Sequence, residues 1–386
     1  MEKIAFVLYY YSPYISGLSN YARTIAEEMA ASGKYDVEVI TSRYDKELPE
    51  AGLVNKVKVV RKKVWFSFGK GVIAPGIILR LLKHREEYDK VFVFMPFAES
   101  AVVRFLFPKK KLFAFYVCDL NLGKSFIMKI IEKLYYLSGK ILLNGSTKII
   151  PLSDDYMFHS KVFRESLKPK VISLFPRIEP LKTDYTPDEI KKYRNRFNLN
   201  DSDFVIGFLG RVVYEKGIEY LLEAVPLLEN RIKNFKLLIG GDYQTVRGGS
   251  VYNQLKQKIE LLKNRIVVTG FIPESEKSLF FNSLDIFVLP SIDPLEAFGI
   301  VQVEAMSCGV PVVATSLYGV REIVTNTKFG YLAKPKSAED IADKIFLTYQ
   351  NKAKLDQYKN EYLKYYSDRI WKKCLYEIIG DARKTD

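Results

Sequence analysis

The sequence of 386 residues is long enough for two domains of ordinary size. Hydrophobic residues make up 48% and charged residues 27%, a globular composition that excludes a disordered chain or a small disulfide-linked scaffold. Three widely spaced cysteines and two histidines argue against a zinc cage or chemistry with several imidazoles. The formal net charge is +14, and residues 1–180 carry 29 basic against 18 acidic side chains, which indicates an anionic partner for this part.

The uncharged run at 4–22 contains Pro13, Gly17 and Asn20, so it predicts a strand that enters a loop rather than a membrane-spanning helix. The charged segment before the apolar run is only Met-Glu-Lys, and no small-residue cleavage pattern follows the run, so a secretory signal peptide is not expected. We therefore expect a cytoplasmic protein that lies peripherally on the inner face of the cell membrane.

Strand-like and helix-like runs alternate over residues 1–180. The strand-like runs are almost continuously apolar, which is typical of parallel strands covered on both faces. They lie at 3–10, 37–41, 91–95, 112–118 and 147–152, with helix-like runs at 20–31 and 126–137. This alternation predicts an α/β domain with right-handed crossovers.

Prolines and charges interrupt the pattern near 176–203, and we predict that residues 181–202 form a linker. A second α/β series over 203–366 has strands at 204–209, 235–239, 266–269, 285–290 and 310–315, and a striped helix at 218–228. The tail, 367–386, contains an amphipathic helix that we expect to pack back toward the N-terminal domain. The predicted fold class is α/β, with two doubly wound Rossmann-like domains that face a central cleft, so ligands should bind in loops after strands.

One chemical constellation is the segment from Gly210 to Gly217, which contains Arg211 and Lys216. It joins a predicted strand to a predicted helix, so two cations lie beside free backbone N–H groups. Such an arrangement binds anions and suits a diphosphate. The alternative is a pair of surface cations near a helix start.

A second constellation runs from Glu296 to Glu304. We place Glu296 in the loop before a helix and Glu304 in its second turn, with N–H groups of Phe298, Gly299 and Ile300 at the helix start. Carboxylates that accept hydrogen bonds from hydroxyls suit recognition of a sugar or ribose. The alternative, acids favoured by the helix dipole, explains Glu296 better than Glu304.

Two weaker signals remain. Gly17 follows the first strand and can bring backbone close to a phosphate, although most such glycines only make the turn. Asp201-Ser202-Asp203 has the D-x-D pattern of metal-dependent transferases. It lies at the amino end of a strand, where a polar turn is the better interpretation.

In order and spacing, these segments resemble the retaining glycosyltransferases of family four, which have the GT-B fold and an E-x7-E motif. The resemblance covers most of the chain and is strongest from 203 to 335. The matching segments are 210–217, 270–273, 285–291, 296–304 and 309–315.

The resemblance implies a role for each matching residue. Arg211 and Lys216, beside Gly210, would hold the donor diphosphate, and Glu304 would bind the ribose hydroxyls. Glu296 would contact the transferred sugar, and Asp119 would face the cleft as a further catalytic residue. The remaining donor contacts would come from Phe298, Gly299, Ile300 and Val301 at the helix start, Phe271 and Ile272 near the base, and Gly17 from the opposite domain. No metal or other cofactor is implied, because the cations would stabilise the departing diphosphate.

The chain departs from the family pattern at three places. Ser16 replaces the first glycine of a frequent Gly-Gly pair, and Cys118 stands where many members have a histidine before Asp119. Residues 176–179 replace the usual Asn-Gly-Val-Asp. A buried structural role for Cys118 is favoured over a reactive thiol.

Stretches 56–68, 104–111 and 123–143 mix cations with aromatic or aliphatic residues, which suits an anionic membrane surface. The alternative is solvated helix faces and buried strands; nucleic acid is disfavoured because no binding module accompanies the charge.

The leading hypothesis is transfer of a sugar from a UDP- or GDP-sugar to a hydroxyl of a glycan or lipid-linked acceptor. Alternatives are a non-catalytic sugar-nucleotide-binding subunit and a nucleotide-sugar epimerase on the same fold.

Overall fold

The computed structural model describes residues 1–68, 71–120, 122, 125–179, 181–243 and 249–381. The chain divides into two compact units. The first consists of Met1–Arg177 together with the segment that begins at Trp371, and the second is Ile178–Ile370.

The strands of the first unit are β1 (Glu2–Val7), β2 (Tyr35–Arg43), β3 (Ala51–Val54), β4 (Val57–Lys63), β5 (Phe66–Phe68), β6 (Gly71–Ile73), β7 (Lys90–Met95), β8 (Leu112–Tyr116) and β9 (Lys148–Pro151). Its helices are α1 (Gly17–Ala31), α2 (Gly76–Lys83), α3 (Ser100–Leu106), α4 (Phe126–Gly145) and α5 (Asp154–Phe158), with 3-10 turns at Lys109–Lys111 and Glu165–Lys170.

The main sheet of the first unit has the order β3-β4-β2-β1-β7-β8-β9, while β5 and β6 form a separate antiparallel hairpin. Neighbouring strands are parallel except β3 and β4. Because the strands are covered on both faces, their sequences are apolar at successive positions rather than alternate ones. Phe6, Phe92, Phe94 and Phe115 are fully buried, and the rings of Phe94 and Phe115 stack 4.4 Å apart. Burial of each such side chain contributes about 1.5–3 kcal/mol.

The second unit contains the strands β10 (Phe204–Leu209), β11 (Phe235–Gly240), β12 (Ile266–Gly270), β13 (Ile286–Leu289), β14 (Val312–Thr315) and β15 (Gly330–Ala333). Its helices are α6 (Pro187–Asn195), α7 (Ile218–Leu228), α8 (Tyr252–Leu261), α9 (Glu274–Asn282), α10 (Val301–Ser307), α11 (Val320–Thr327), α12 (Ala338–Gln350), α13 (Lys352–Leu355) and α14 (Tyr362–Tyr366), with 3-10 turns at Tyr214–Lys216 and Asp356–Tyr358.

The sheet of the second unit is parallel, with the order β12-β11-β10-β13-β14-β15. The striped helix predicted at 218–228 is α7, whose buried residues pack against this sheet. The strand order reverses between β10 and β13, which makes their carboxyl ends a topological switch point. Open parallel sheets bind ligands at such a point.

The segment predicted as a linker contains α6, which begins at a capping box formed by Thr186 and Glu189. The guanidinium of Arg194 donates to the carbonyl of Ser283 at 2.8 and 3.0 Å, so α6 is fastened to the second unit. Near the end of the chain lies α15 (Asp368–Ile379). Its Trp371 is fully buried, with the Arg177 guanidinium 5.1 Å from the ring, and this part of the chain belongs to the first unit.

The basic stretch at 56–68, predicted as membrane-facing, is partly internal. Val57 and Val59 of β4 are buried, and the Arg61 guanidinium donates to the carbonyl of Ser12 at 2.8 Å. Arg61 is 4% exposed, so it adds no charge to an outer surface, whereas Trp65 is 73% exposed. Over the part of the chain that the structure describes, no helix has the length and apolarity needed to cross a bilayer.

Candidate functional site

Glycines bring the loops after β10, β11 and β13 into backbone contact at the switch point. The Gly210 N–H donates to the carbonyl of Gly240 at 3.0 Å, and a Cβ on Gly241 would lie 1.8 Å from the Gly210 carbonyl oxygen. Gly217 has φ of +64° and caps α7, and a Cβ there would lie 2.2 Å from the Pro290 carbonyl oxygen. Only glycine fits at Gly217 and Gly241, because both the available space and the positive φ exclude a side chain there.

Lys216 and Glu296 meet at this glycine-built corner. The Lys216 ammonium forms an ion pair with Oε2 of Glu296, and their side chains are only 14% and 17% exposed. The Ile292 N–H donates to the Glu215 carbonyl at 3.0 Å, so the loop after β13 is bound to the turn that carries Lys216. Arg211 is more open: its side chain is half exposed, with Nη2 3.5 Å from Glu215.

Glu296 lies in the loop before α10, where the sequence placed it. The Asp293 carboxylate accepts a hydrogen bond from the Leu295 N–H at 2.9 Å, which forms a side-chain-stabilised turn just before Glu296. Phe298 is buried and packs edge-on against Tyr366 at 5.8 Å. Together these contacts fix the direction in which the loop enters the helix.

The start of α10 contains the other residues predicted to contact the donor. Gly299 has φ of +77°, Ile300 is the N-terminal cap and Val301 is the first helical residue. The fully buried Gln302, which the sequence analysis did not single out, donates to the carbonyls of Phe298 at 3.4 Å and Val320 at 3.1 Å. A polar residue within an apolar run was the signal for it. Gln302 thus ties the loop before α10 to the start of α11.

Glu304 lies in the first turn of α10 rather than the second, and its side chain is 10% exposed. Its Oε1 pairs with the Lys277 ammonium of α9 at 2.5 Å, while Oε2 is buried and has no hydrogen-bond partner among the described residues. Burial raises the pKa of Glu304, and the Lys277 ammonium opposes that shift. Burial by itself would lower the pKa of Lys277, because it disfavours the charged ammonium. The carboxylates of Glu304 and then Glu274 outweigh burial, so the pKa of Lys277 is raised.

The loop after β12 carries the residues predicted near the nucleotide base. Phe271 is 73% exposed, whereas Ile272 is partly buried beside Gly240. The Gly270 carbonyl accepts a hydrogen bond from the Gly241 N–H at 2.8 Å. The loop therefore belongs to the same sheet edge as the glycine-built corner and leaves an aromatic face open to solvent.

Gly17 and Asp119 lie in the first unit. Gly17 is the first residue of α1, next to the capping box of Ser16, and a Cβ on it would meet no atom within 4 Å. Asp119 accepts a hydrogen bond from the Tyr116 hydroxyl and donates its N–H to the Tyr156 hydroxyl at 2.7 Å. Burial raises the pKa of Asp119, and the Tyr116 hydrogen bond opposes that shift.

The D-x-D segment forms a turn before β10. The Asp203 carboxylate accepts from the Asn200 N–H at 2.7 Å, and Asp201 pairs with Lys191 at 2.7 Å. Among the described residues, no group of three or more histidine, cysteine, aspartate or glutamate side chains is arranged to hold a metal ion.

Comparison with known proteins agrees with this architecture. Anabaena HepE, solved in complex with UDP-glucose, superposes with a TM-score of 0.70 at 19% identity, over 98% of this chain and all of that one. An uncharacterised glycosyltransferase of Methanocaldococcus jannaschii is 28% identical over 366 residues, 88% of this chain and 87% of its own length. The lipopolysaccharide 1,2-N-acetylglucosaminetransferase of Salmonella typhimurium is 28% identical over 244 residues, 62% of this chain and 61% of its own length.

The fold is therefore that of the GT-B glycosyltransferases, with a doubly wound and mostly parallel sheet in each unit, as predicted. Residues 189–365 match the family model of the glycosyl transferases group 1, in agreement with the family resemblance of the sequence motifs. Both the predicted fold class and the predicted family are confirmed.

Proposed function

We propose that this chain transfers a sugar from a UDP- or GDP-sugar to a hydroxyl of a glycan or lipid-linked acceptor, with retention of anomeric configuration. The observation that carries the proposal is the Lys216–Glu296 ion pair in the glycine-built corner at the β10/β13 switch point. A cation held beside a helix N-terminus in such a corner suits a diphosphate. The similarity to HepE, which was solved with UDP-glucose, supports the choice of donor class.

In the proposed reaction, the bond between the sugar C1 and the donor phosphate oxygen breaks, and a bond from C1 to the acceptor oxygen forms on the same face. Negative charge develops on the departing diphosphate, and the Lys216 ammonium and Arg211 guanidinium stabilise it. The donor phosphate takes the proton of the acceptor hydroxyl, so no side-chain nucleophile is required. Glu296, whose second oxygen does not bind Lys216, accepts a hydrogen bond from the transferred sugar.

Glu304 supplies the proposed ribose contact. Its buried Oε2 accepts no hydrogen bond from the part of the chain that the structure describes, and a buried acceptor is costly unless a donor group reaches it. A ribose hydroxyl is a donor of the right kind. Contacts of the base with Phe271 and Ile272, and roles for Gly17 and Asp119, stay predictions within the same proposal.

Donor binding is tested first by the melting temperature of the protein with UDP-glucose, GDP-mannose and ADP-glucose, because a ligand specific to the folded state raises it. Sugar transfer is then measured with the double variant Lys216→Ala, Glu296→Gln. The control removes a surface pair of the same type, Lys258→Ala, Glu223→Gln, which joins α7 and α8 at 2.7 Å. We expect loss of transfer only in the first variant; equal turnover in both would contradict the assignment.

The acceptor part of the proposal depends on α4. One face of this helix exposes Phe126, Ile127, Ile130, Leu134 and Leu137 to solvent. Beside it lies a groove of about 570 Å³, to which Lys133, Lys140 and Arg164 contribute. Within the described part of the chain these three cations form no ion pair or side-chain hydrogen bond. Apolar side chains between cations favour an anionic bilayer surface, where a lipid-linked acceptor resides.

Membrane binding is measured by sedimentation with vesicles of phosphatidylcholine, with and without phosphatidylglycerol. Phe126→Glu with Leu134→Glu should abolish binding to the anionic vesicles. Leu261→Glu is the control, because Leu261 of α8 is equally apolar and 86% exposed. Unchanged binding by the α4 variant would contradict a membrane-facing α4 while leaving donor binding unaffected.

A further inference from the structure

Lys277 is outside every motif that the sequence analysis identified, yet it makes the closest contact to the carboxylate proposed for ribose binding. It is the fourth residue of α9, and its side chain is 17% exposed. Its ammonium lies 2.5 Å from Oε1 of Glu304 and 3.3 Å from Glu274. A lysine ammonium is a compact donor and, unlike the arginine guanidinium, does not bind both oxygens of a carboxylate in a bidentate way. It therefore binds one oxygen and leaves the other available.

We infer that Lys277 is a positioning residue for the nucleotide-sugar donor: its ammonium keeps the Glu304 carboxylate charged and leaves Oε2 as the acceptor for a donor hydroxyl. This inference rests on the function proposed above. Removal of one partner of a buried ion pair leaves the other charge uncompensated, and a carboxyl group then becomes protonated instead. A protonated Glu304 would carry a hydrogen on one oxygen and accept hydroxyl hydrogen bonds more weakly.

Among the described residues, Lys277 is the cation that most strongly opposes the rise in the pKa of Glu304. Glu274 of α9 and Glu179 of the segment before α6 both raise the pKa of Glu304. The Cys308 thiol after α10 is neutral at physiological pH, because burial raises its pKa to about 11. Without Lys277, burial, Glu274 and Glu179 would favour the protonated carboxyl of Glu304, and donor affinity would require a higher pH.

The test measures the dissociation constant of UDP-glucose, or of whichever donor the thermal screen identifies, by calorimetry between pH 5.5 and 8.5. Lys277→Met should weaken binding at pH 7 about tenfold to a hundredfold, the range expected for a hydrogen bond to a charged group. Its binding should recover as pH rises, with the midpoint of the pH profile above that of the wild type. Glu304→Gln should bind weakly without this pH step, and Lys277→Met should add no further loss in the Glu304→Gln background.

Lys263→Met is the matched control, because Lys263 forms an exposed pair with Glu260 at 2.9 Å in the same unit. Lys277→Arg retains the charge and must keep the wild-type midpoint; a shifted midpoint in that variant overturns the inference, even if Lys277→Met does not fold. A folded Lys277→Met that loses affinity equally at every pH, or binds like the wild type, also overturns it. If the wild type binds no nucleotide-sugar, the proposed function itself fails.

Discussion

Replacement of Gly217 by alanine is the sharpest perturbation of the corner that carries Lys216. The residue has φ of +64°, a conformation that costs an L-residue about 1–2 kcal/mol. The new Cβ would also lie 2.2 Å from the Pro290 carbonyl oxygen and 2.7 Å from Ile292, and overpacking of this kind costs about 1–3 kcal/mol. We therefore expect a loss of about 2–5 kcal/mol in the free energy of unfolding of the second unit.

The control is Gly33→Ala. Gly33 has a similar φ of +69°, but a Cβ there would meet no atom within 4 Å, so this variant carries only the backbone strain. Differential scanning calorimetry should show a decrease in melting temperature of roughly 4–20 °C for Gly217→Ala. Gly33→Ala should lose about 1–2 kcal/mol. Equal losses in the two variants would refute the argument that backbone contact between the turn and the end of β13 fixes Lys216.

Three further outcomes follow from the described contacts. UDP-glucose should bind more tightly than its 2′-deoxyribose analogue, because no described residue donates a hydrogen bond to the buried Oε2 of Glu304. Calorimetry with both donors checks this, and equal affinity would remove the ribose assignment. Burial raises the pKa of the Cys308 thiol to about 11. At pH 8 this thiol should therefore react with iodoacetamide roughly a hundredfold more slowly than a thiol of pKa near 9, and its reaction should become faster as pH rises. Peptide mass spectrometry measures the rate. The Tyr88 hydroxyl donates a hydrogen bond to the fully buried Glu38 at 2.9 Å, so Tyr88→Phe should lower the free energy of unfolding of the first unit by about 1.5–3 kcal/mol. Urea unfolding measures this loss, and a loss below about 0.5 kcal/mol would contradict a structural role for that hydrogen bond.

Much of the fold could be predicted because buried parallel strands leave a continuous apolar signal. The central strands β1, β7 and β8, and all but the last strand of the second sheet, carry this signal over three or more residues. Strands β3 and β4 do not carry it. Asn55 and Lys56 form the turn between β3 and β4 with φ of +48° and +70°, without the glycine that usually reveals such a turn.

The candidate site could be predicted only as far as local sequence determines it. Gly210–Gly217 and the Glu296 loop are short segments whose glycines and charges lie together in the sequence. The Lys277–Glu304 pair joins residues 27 apart, and the burial of Arg61 depends on Ser12, which is 49 residues away. Such pairs arise from packing between elements, so no local periodicity or spacing indicates them.

The return of α15 to the first unit affects the order of events during synthesis. Residues 1–177 leave the ribosome first. Trp371 can pack against them only after about 200 further residues have been translated. Lys34 and Glu28 of the early part meet Asp381 and Tyr376 only at that stage. The surface of the nascent first unit that later contacts α15 therefore stays uncovered while the second unit is translated, and a chaperone has time to bind there.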